Sequence, residues 1–115
     1  MLNYPKSIHR VFHALADPTR LEMFEQLCGG PASVSELAKE LPMSLPAVLQ
    51  HLAVLEADGI VHSQKVGRVR ICRIEPAVLQ KTNDWVTERR AKWERNLDRL
   101  GDFLARSSDE TNEEK

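Results

Sequence analysis

The fold of this chain is decided by residues 33–59, SVSELAKELPMSLPAVLQHLAVLEADG. Ser33 is followed three residues later by Glu36, which is the capping-box pattern of a helix start. A proline ends this short helix, and Ser44 can then cap a second one. Pro46 falls in the first turn of that second helix, where a missing backbone amide is tolerated. Two capped helices joined by a tight turn predict a helix-turn-helix.

The apolar residues of this stretch indicate how the two helices pack. Those of the second helix follow one apolar stripe and are Val48, Leu49, Leu52, Leu55 and Ala57. We expect four leucines to hold the two helices at a fixed angle, namely Leu37, Leu41, Leu52 and Leu55. The opposite face of the second helix, which spans residues 44–57, is then free to contact a partner.

A hairpin is predicted directly after the two helices. Residues 60–66 and 69–74 are rich in Val and Ile and flank Gly67 and Arg68, which supply the turn. A hairpin that follows a helix-turn-helix predicts the winged variant of the motif, with residues 62–74 as the wing.

The flanking segments are helical. Apolar residues spaced by three and four predict a first helix that ends near Ala16, and Asp17 with Pro18 marks the start of a second. From Ala77 to about Ala105 a long apolar stripe predicts a last helix of roughly 25 to 30 residues, about 40 Å long. A helix of that length is more than one small domain needs.

These elements define the predicted fold class and domain organisation. The chain is expected to be mainly α with a small β-hairpin, an α+β winged helix-turn-helix in the order α-α-α-α-β-β-α, with a long C-terminal helix. We expect one domain over residues 1–106. Residues 107–115 hold four acidic residues, one lysine and no apolar anchor, and are expected to form a disordered acidic tail.

Composition limits the class of protein. A chain of 115 residues has room for one core. It holds no apolar run near the roughly 20 residues that span a bilayer, and no signal peptide is evident, so we expect a cytoplasmic protein without membrane contact. Cys28 and Cys72 are far apart and are expected to be two buried thiols in a reducing compartment.

The charges are segregated along the chain. The net charge is only −1, but residues 62–74 contain four basic residues and no acidic one. Lys65, Arg68 and Arg70 of this wing are expected to contact DNA phosphates, with Arg68 at the hairpin tip also able to reach a minor groove. A solvated strand face also accounts for basic residues, though not for the absence of acidic ones.

The free face of the second helix is the candidate major-groove surface for double-stranded DNA. Its expected contact residues are Ser44, Leu45, Pro46, Ala47, Gln50 and His51. The amide of Gln50 can pair bidentately with adenine, unless it is simply a solvated helix residue. Leu45 suits either a thymine methyl or packing against the turn, and His51 suits either a DNA contact or a structural hydrogen bond.

Several stretches together resemble the ArsR/SmtB family of bacterial repressors. They are residues 14–21 (ALADPTRL), 33–38 (SVSELA), 44–52 (SLPAVLQHL), 55–60 (LEADGI) and 65–68 (KVGR). The resemblance implies a symmetric homodimer formed by the first and last helices, with two recognition helices in successive major grooves of a palindromic operator. The expected interface residues are Ile8, Val11, Phe12, Trp85, Trp93, Leu97, Leu100 and Leu104; for the two tryptophans a ligand pocket between the paired helices is the alternative.

The usual sensory residues of that family are missing. The family's metal-binding Cys-x-Cys positions correspond to Ser33 and Ser35, and hydroxyls are poor ligands for soft metals. No histidine follows His62, so the family's second metal site has no counterpart. His9 and His13 share a helical face but lack an obvious third ligand. We therefore expect no metal and no cofactor, and the sequence leaves the small-molecule effector unspecified.

Two other classes of function compete with a DNA-binding repressor. An enzyme is not expected, because the chain has no glycine-rich phosphate loop, no nucleophile elbow and no paired carboxylates. A winged-helix module that binds another protein instead of DNA is the stronger alternative, since a fold does not dictate its partner.

Overall fold

The structure is a computed structural model that describes the backbone of residues 6–113 and the side chains of residues 8–108. Its elements, in chain order, are α1 (Lys6–Leu15), α2 (Pro18–Cys28), β1 (Ala32–Ser33), α3 (Val34–Lys39), α4 (Leu45–Ala57), β2 (Val61–Val66), β3 (Val69–Ile74) and α5 (Pro76–Glu113). The predicted order of helices and wing is confirmed, and β1 is an addition to it.

Three helices begin at the caps that the sequence predicted. The side chain of Asp17 accepts a hydrogen bond from the Arg20 backbone N–H at 3.0 Å, and Ser33 accepts one from Glu36 at 3.1 Å. Ser44 accepts from the backbone N–H of Ala47 at 3.4 Å. Each bond satisfies an amide that the helix leaves without a partner, so these starts depend on local sequence.

The core lies between the helices and the sheet. The largest fully buried side chains are Met23, Leu37, Leu52, Leu55, Ile60, Val48 and Cys72. The four leucines expected to join α3 to α4 are all buried. Truncating one of them to alanine would cost roughly 2–5 kcal/mol of stability, so the angle between these two helices is firmly held.

The sheet has three strands in the order β1-β3-β2. In β1, Ala32 pairs with Cys72 and Ser33 pairs with Ile71, both antiparallel. Two residues are too short for any alternation to be visible in sequence, which is why β1 was not predicted. Gly67, with a φ of 64°, is the first central residue of the β2–β3 turn, where a type II′ turn requires a positive φ.

Helix α5 is longer than predicted. Contacts divide the chain into two units, one up to Thr82 and one from Asn83 onward, so α5 begins in the first and makes up the described part of the second. Its predicted end near Ala105 is wrong, because helical backbone continues to Glu113. No proline interrupts the segment, and each added residue gains one backbone bond. Disorder of residues 107–115 stays a prediction, as does the domain boundary at residue 106.

No helix within residues 6–113 is both long enough and apolar enough to cross a membrane.

Candidate nucleic-acid interface

Helix α4 presents one face away from the core. Val48, Leu52 and Leu55 are buried, and the outward face consists of Leu45, Pro46, Leu49, Gln50 and Ala53. Leu49 and Ala57 were expected to continue the buried stripe, but both are exposed, Leu49 by 38%. An apolar stripe on a helix is narrower than the full run of apolar residues here, so some of them must face outward.

The predicted contact residues of α4 differ in how free they are. Gln50 is exposed and has no partner among the described side chains, and Leu45 is 51% exposed. Pro46 is also exposed, whereas Ala47 is half-buried. Ser44 is exposed, but its oxygen already accepts the Ala47 amide. The most accessible groups on this face are therefore one amide and several apolar side chains.

His51 is turned toward the protein. Its Nδ1 lies 3.7 Å from a carboxylate oxygen of Asp17, the residue that caps α2. The Arg20 backbone N–H is the main cause of the lowered pKa of Asp17; desolvation opposes it, and the nearby His51 adds a smaller lowering effect. A second contact of this kind involves α1, where Nδ1 of His13 lies 2.6 Å from Oδ2 of Asp58, the residue that caps the end of α4. Two histidine–aspartate contacts thus hold α4 to the preceding helices, and they favour the structural interpretation of His51.

Of the four basic residues of the wing, Arg70 forms an ion pair, Arg73 donates to a glutamine side chain, and Lys65 and Arg68 do neither among the described side chains. Nη2 of Arg70 lies 2.8 Å from both carboxylate oxygens of Glu56, and its Nε donates to Ser63 at 2.8 Å. The Ser63 hydroxyl donates in turn to Glu56. Lys65 and Arg68 are exposed, and within residues 8–108 neither forms an ion pair. The expectation that Arg70 contacts phosphate is therefore revised, because its charge is shared with Glu56.

A cleft separates α4 from the wing. It encloses about 280 Å³ and is bounded by the start of α3, the outward face of α4 and the hairpin tip. Val34, Leu45, Leu49 and Val69 line it with apolar groups, while Arg68 and Arg70 border it with charge. The exposed face of α4 and the basic wing thus meet along one surface.

The predicted interface residues of the first unit are mostly internal. Ile8 and Val11 are each 3% exposed within the single chain, so they have almost no surface left for a partner. Burial inside the monomer takes them out of the expected interface. Phe12, at 51%, stays exposed.

The second unit carries an exposed apolar stripe along α5. Its members are Val86, Trp93, Leu97, Leu100, Phe103 and Leu104. From Trp93 to Leu104 the spacing is four, three and four, which is the heptad spacing of helices that pair side by side. Trp85 is half-buried, and the Arg89 guanidinium lies 4.5 Å from the centre of its ring. Val86 belongs to the apolar stripe predicted from the sequence but was not among the expected interface residues, and Phe103 was in neither set.

The candidate metal ligands and the two cysteines also lie in the described part of the chain. No three His, Cys, Asp or Glu side chains in the described part of the chain are placed to share a metal ion. Cys72 is buried, and burial raises the pKa of its thiol. Cys28, expected to be buried, is exposed at the last residue of α2, because the apolar face of that helix is formed by Met23 and Leu27 instead.

A family model and two relatives identify the chain as similar to bacterial transcriptional regulators. A family model described as a bacterial regulatory protein of the arsR family matches residues 17–63. The HTH-type transcriptional regulator Rv2034 of Mycobacterium tuberculosis is 36% identical over 106 residues, covering 92% of this chain and 96% of the relative. The transcriptional repressor SdpR of Bacillus subtilis is 27% identical over 79 residues, covering 69% and 88%.

A solved structure agrees. The ArsR-like transcriptional regulator from Rhodococcus sp. RHA1 superposes with a TM-score of 0.69 at 39% identity, covering 82% of this chain and 89% of that chain. The chain therefore belongs to the ArsR family of bacterial transcriptional regulators and has the winged helix-turn-helix fold.

Proposed function

We propose that the protein is a homodimeric repressor that binds a palindromic DNA operator, with α4 in the major groove and the wing on the minor groove or the phosphates beside it. One observation carries this proposal: the exposed leucines of α4 and the unpaired Arg68 of the wing border the same cleft. An enzyme would need a site of convergent catalytic groups, and the family consists of regulators.

The α4 side of the surface suits a major groove. A helix with its side chains is about 10–12 Å across, and the groove is about 12 Å wide. Gln50 is the polar group best placed to distinguish bases, since its amide can donate to and accept from adenine at once. Loss of such a pair costs roughly 1–3 kcal/mol of discrimination.

The wing supplies affinity more than sequence preference. Lys65 and Arg68 are free to contact phosphates, and each such contact releases counterions from the duplex. Arg70 contributes in a different way, because its ion pair with Glu56 joins the wing to the end of α4. The wing therefore keeps a defined position next to the recognition helix.

The α5 stripe supports the homodimer. Six large apolar side chains are exposed along one helix. In a symmetric dimer the same stripe of the second protomer packs against them and buries them. Phe12 offers a further apolar contact on α1. A symmetric pair offers two α4 helices to two half-sites about 34–36 Å apart, which is the reason to expect a palindrome.

Repression is the outcome that we infer from binding of this kind. The relative SdpR is described as a transcriptional repressor. A dimer seated on an operator excludes other proteins from the same DNA, and we place this action in the cytoplasm with the bacterial chromosome. We assign no effector and no metal, since Ser33 and Ser35 are poor ligands for soft metals.

Selection of bound fragments from the source genome, followed by mobility-shift titration, tests the proposal. We expect a palindromic operator whose affinity falls steeply as salt rises. Light scattering should find a dimer at the same protein concentration. A stable monomer, or equal affinity for operator and random duplex, would contradict it; weak duplex binding at every salt concentration would favour the alternative of a protein-interaction module.

A further inference from the structure

The outward face of α4 contains two leucines where polar base-contacting side chains would be expected. Leu45 and Leu49 are 51% and 38% exposed and lie one turn apart on the helix. Val69 of the wing lines the same cleft and is exposed as well. Leaving large apolar side chains in water gives up the free energy that burial would provide, so this patch fits a partner that covers it.

We propose that Leu45 and Leu49 are specificity-determining residues that contact thymine methyl groups in the major groove. The inference rests on the proposed function and deepens it, because it names the base chemistry that α4 recognises. The occupant is a DNA duplex rather than a protein helix, since the unpaired Arg68 borders the cleft that the two leucines line, and the exposed Gln50 follows Leu49 on the same helix.

The major-groove edges of the bases leave one group that these leucines can match. Guanine, cytosine and adenine present only hydrogen-bond donors and acceptors there, and thymine adds a methyl group. A leucine over a G·C pair removes water from polar atoms and offers them no partner, which is unfavourable. The same leucine over a thymine methyl buries two apolar surfaces. Both effects favour A·T pairs beneath this part of α4.

The spacing of the two leucines sets the spacing of the thymines. Residues four apart on a helix are separated by about 6 Å along its axis. Consecutive base pairs are about 3.4 Å apart along each strand, so the two methyl groups lie within about two base-pair steps of each other. Gln50 follows Leu49 directly and is suited to adenine. We therefore expect each half-site to contain a short A·T-rich block.

Deoxyuridine provides the test, because it removes the thymine methyl and leaves base pairing intact. The operator selected by the protein is resynthesised with deoxyuridine at one thymine at a time, and dissociation constants are measured by fluorescence anisotropy. We expect up to two positions in each half-site at which affinity falls by about fourfold, the equivalent of one methyl group left unburied. Replacement outside these positions should have no effect.

Matched variants assign each methyl to its leucine. Leu49→Ala should weaken binding to the thymine operator. It should not weaken binding to the operator that carries deoxyuridine at the position contacted by Leu49, and Leu45→Ala should behave in the same way at the other position. Leu49→Met keeps an apolar contact and should retain the methyl dependence. Gln50→Ala is the control: it should lower affinity for the operator while the thymine–deoxyuridine difference persists. Circular dichroism melts verify that each variant is folded.

The outcomes separate the two proposals. If a palindromic operator is selected but deoxyuridine is neutral at every position, the inference is overturned and the proposed function stands. If the methyl dependence survives both leucine substitutions, it belongs to other residues and the inference is again overturned. If no duplex is preferred over random DNA, the proposed function fails and the inference fails with it.

Discussion

Helices α4 and α5 both expose leucines to solvent, yet their surroundings differ. On α4 the patch is short, lies beside the Gln50 amide and faces the unpaired Arg68 across a cleft. On α5 the exposed apolar residues follow a heptad from Trp93 to Leu104, and charges of both signs flank them, as in the Arg90–Glu94 pair. An apolar patch with a basic border suits a nucleic acid, whereas a heptad with mixed charges suits another helix.

The largest effect should come from a charge placed in the α5 stripe. We expect Leu97→Glu to prevent dimerisation at micromolar concentration, because an unpaired charge buried in a seam costs several kcal/mol and a symmetric seam contains two. Operator binding should be lost along with the dimer. Light scattering and a mobility shift measure both effects.

Arg95→Glu is the matched control on the same helix. Position 95 lies opposite the heptad stripe and its side chain is exposed, so a glutamate there should leave the dimer intact. A dimer that persists in Leu97→Glu, or dissociates equally in both variants, would contradict the proposed role of the stripe.

The next effect concerns the amide on α4. Gln50→Ala should lose about 1–3 kcal/mol of preference for operator over random DNA in each half-site, because bidentate pairing to adenine is removed. Competition mobility shifts with the two duplexes measure the preference. Exposed Ala53→Ser is a neighbouring change on the same face that should alter it little, and an equal loss in both variants would argue against base recognition by Gln50.

The effects of replacing Arg68 and Arg70 of the wing should then differ. Arg68→Ala should weaken binding to operator and random DNA alike and reduce the salt slope by about one per protomer, because one phosphate contact is lost. Arg70→Ala should leave the salt slope nearly unchanged, since Glu56 already compensates its charge. Titrations at four salt concentrations measure the slopes. Identical slopes for the two variants would break the distinction between them.

The ion pair of Arg70 with Glu56 should have a modest effect on stability. Both groups are partly exposed, and such pairs contribute about 0–1 kcal/mol. Glu56→Gln should lower the free energy of unfolding within that range and frees Arg70 for phosphate, so the salt slope should increase. Urea unfolding and the titrations above measure the two effects, and a slope unchanged from wild type would argue against the release of Arg70.

The smallest effect is expected at Asp17. Its pKa is lowered in the folded protein, mainly by the Arg20 backbone N–H, so the ionised form stabilises the fold at neutral pH. This contribution should be lost as the pH falls through and below 3.8, the ordinary value for aspartate. Asparagine also caps helices but does not titrate, so the stability of Asp17→Asn should fall less in acid than that of the wild type. Urea melts at pH 7 and pH 3 compare them; equal losses of stability in acid would contradict the role of the carboxylate.

Much of the fold could be predicted because its signals are local. The caps at Asp17, Ser33 and Ser44 each act on an amide three residues away, and the turn at Gly67 needs only its own positive φ. Interactions of this range are visible in any short window of sequence. The motif order followed from them, whereas the family came from the resemblance of whole sequence stretches.

The candidate site was only partly predictable for the opposite reason. Leu49 and Leu52 are the same residue type on the same helix, and only packing decides that one faces solvent and the other the core. Arg68 and Arg70 are two residues apart, and only the folded chain brings Glu56 to the second of them.

The sequence by itself determined where the helices begin, where the wing turns and which motif they form, since short-range hydrogen bonds and backbone conformations carry that information. Only the tertiary structure decided which apolar side chains stay exposed, which cations stay unpaired and how β1 joins β3. These properties depend on residues distant in the chain, and their energies exist only once the core has brought those residues together.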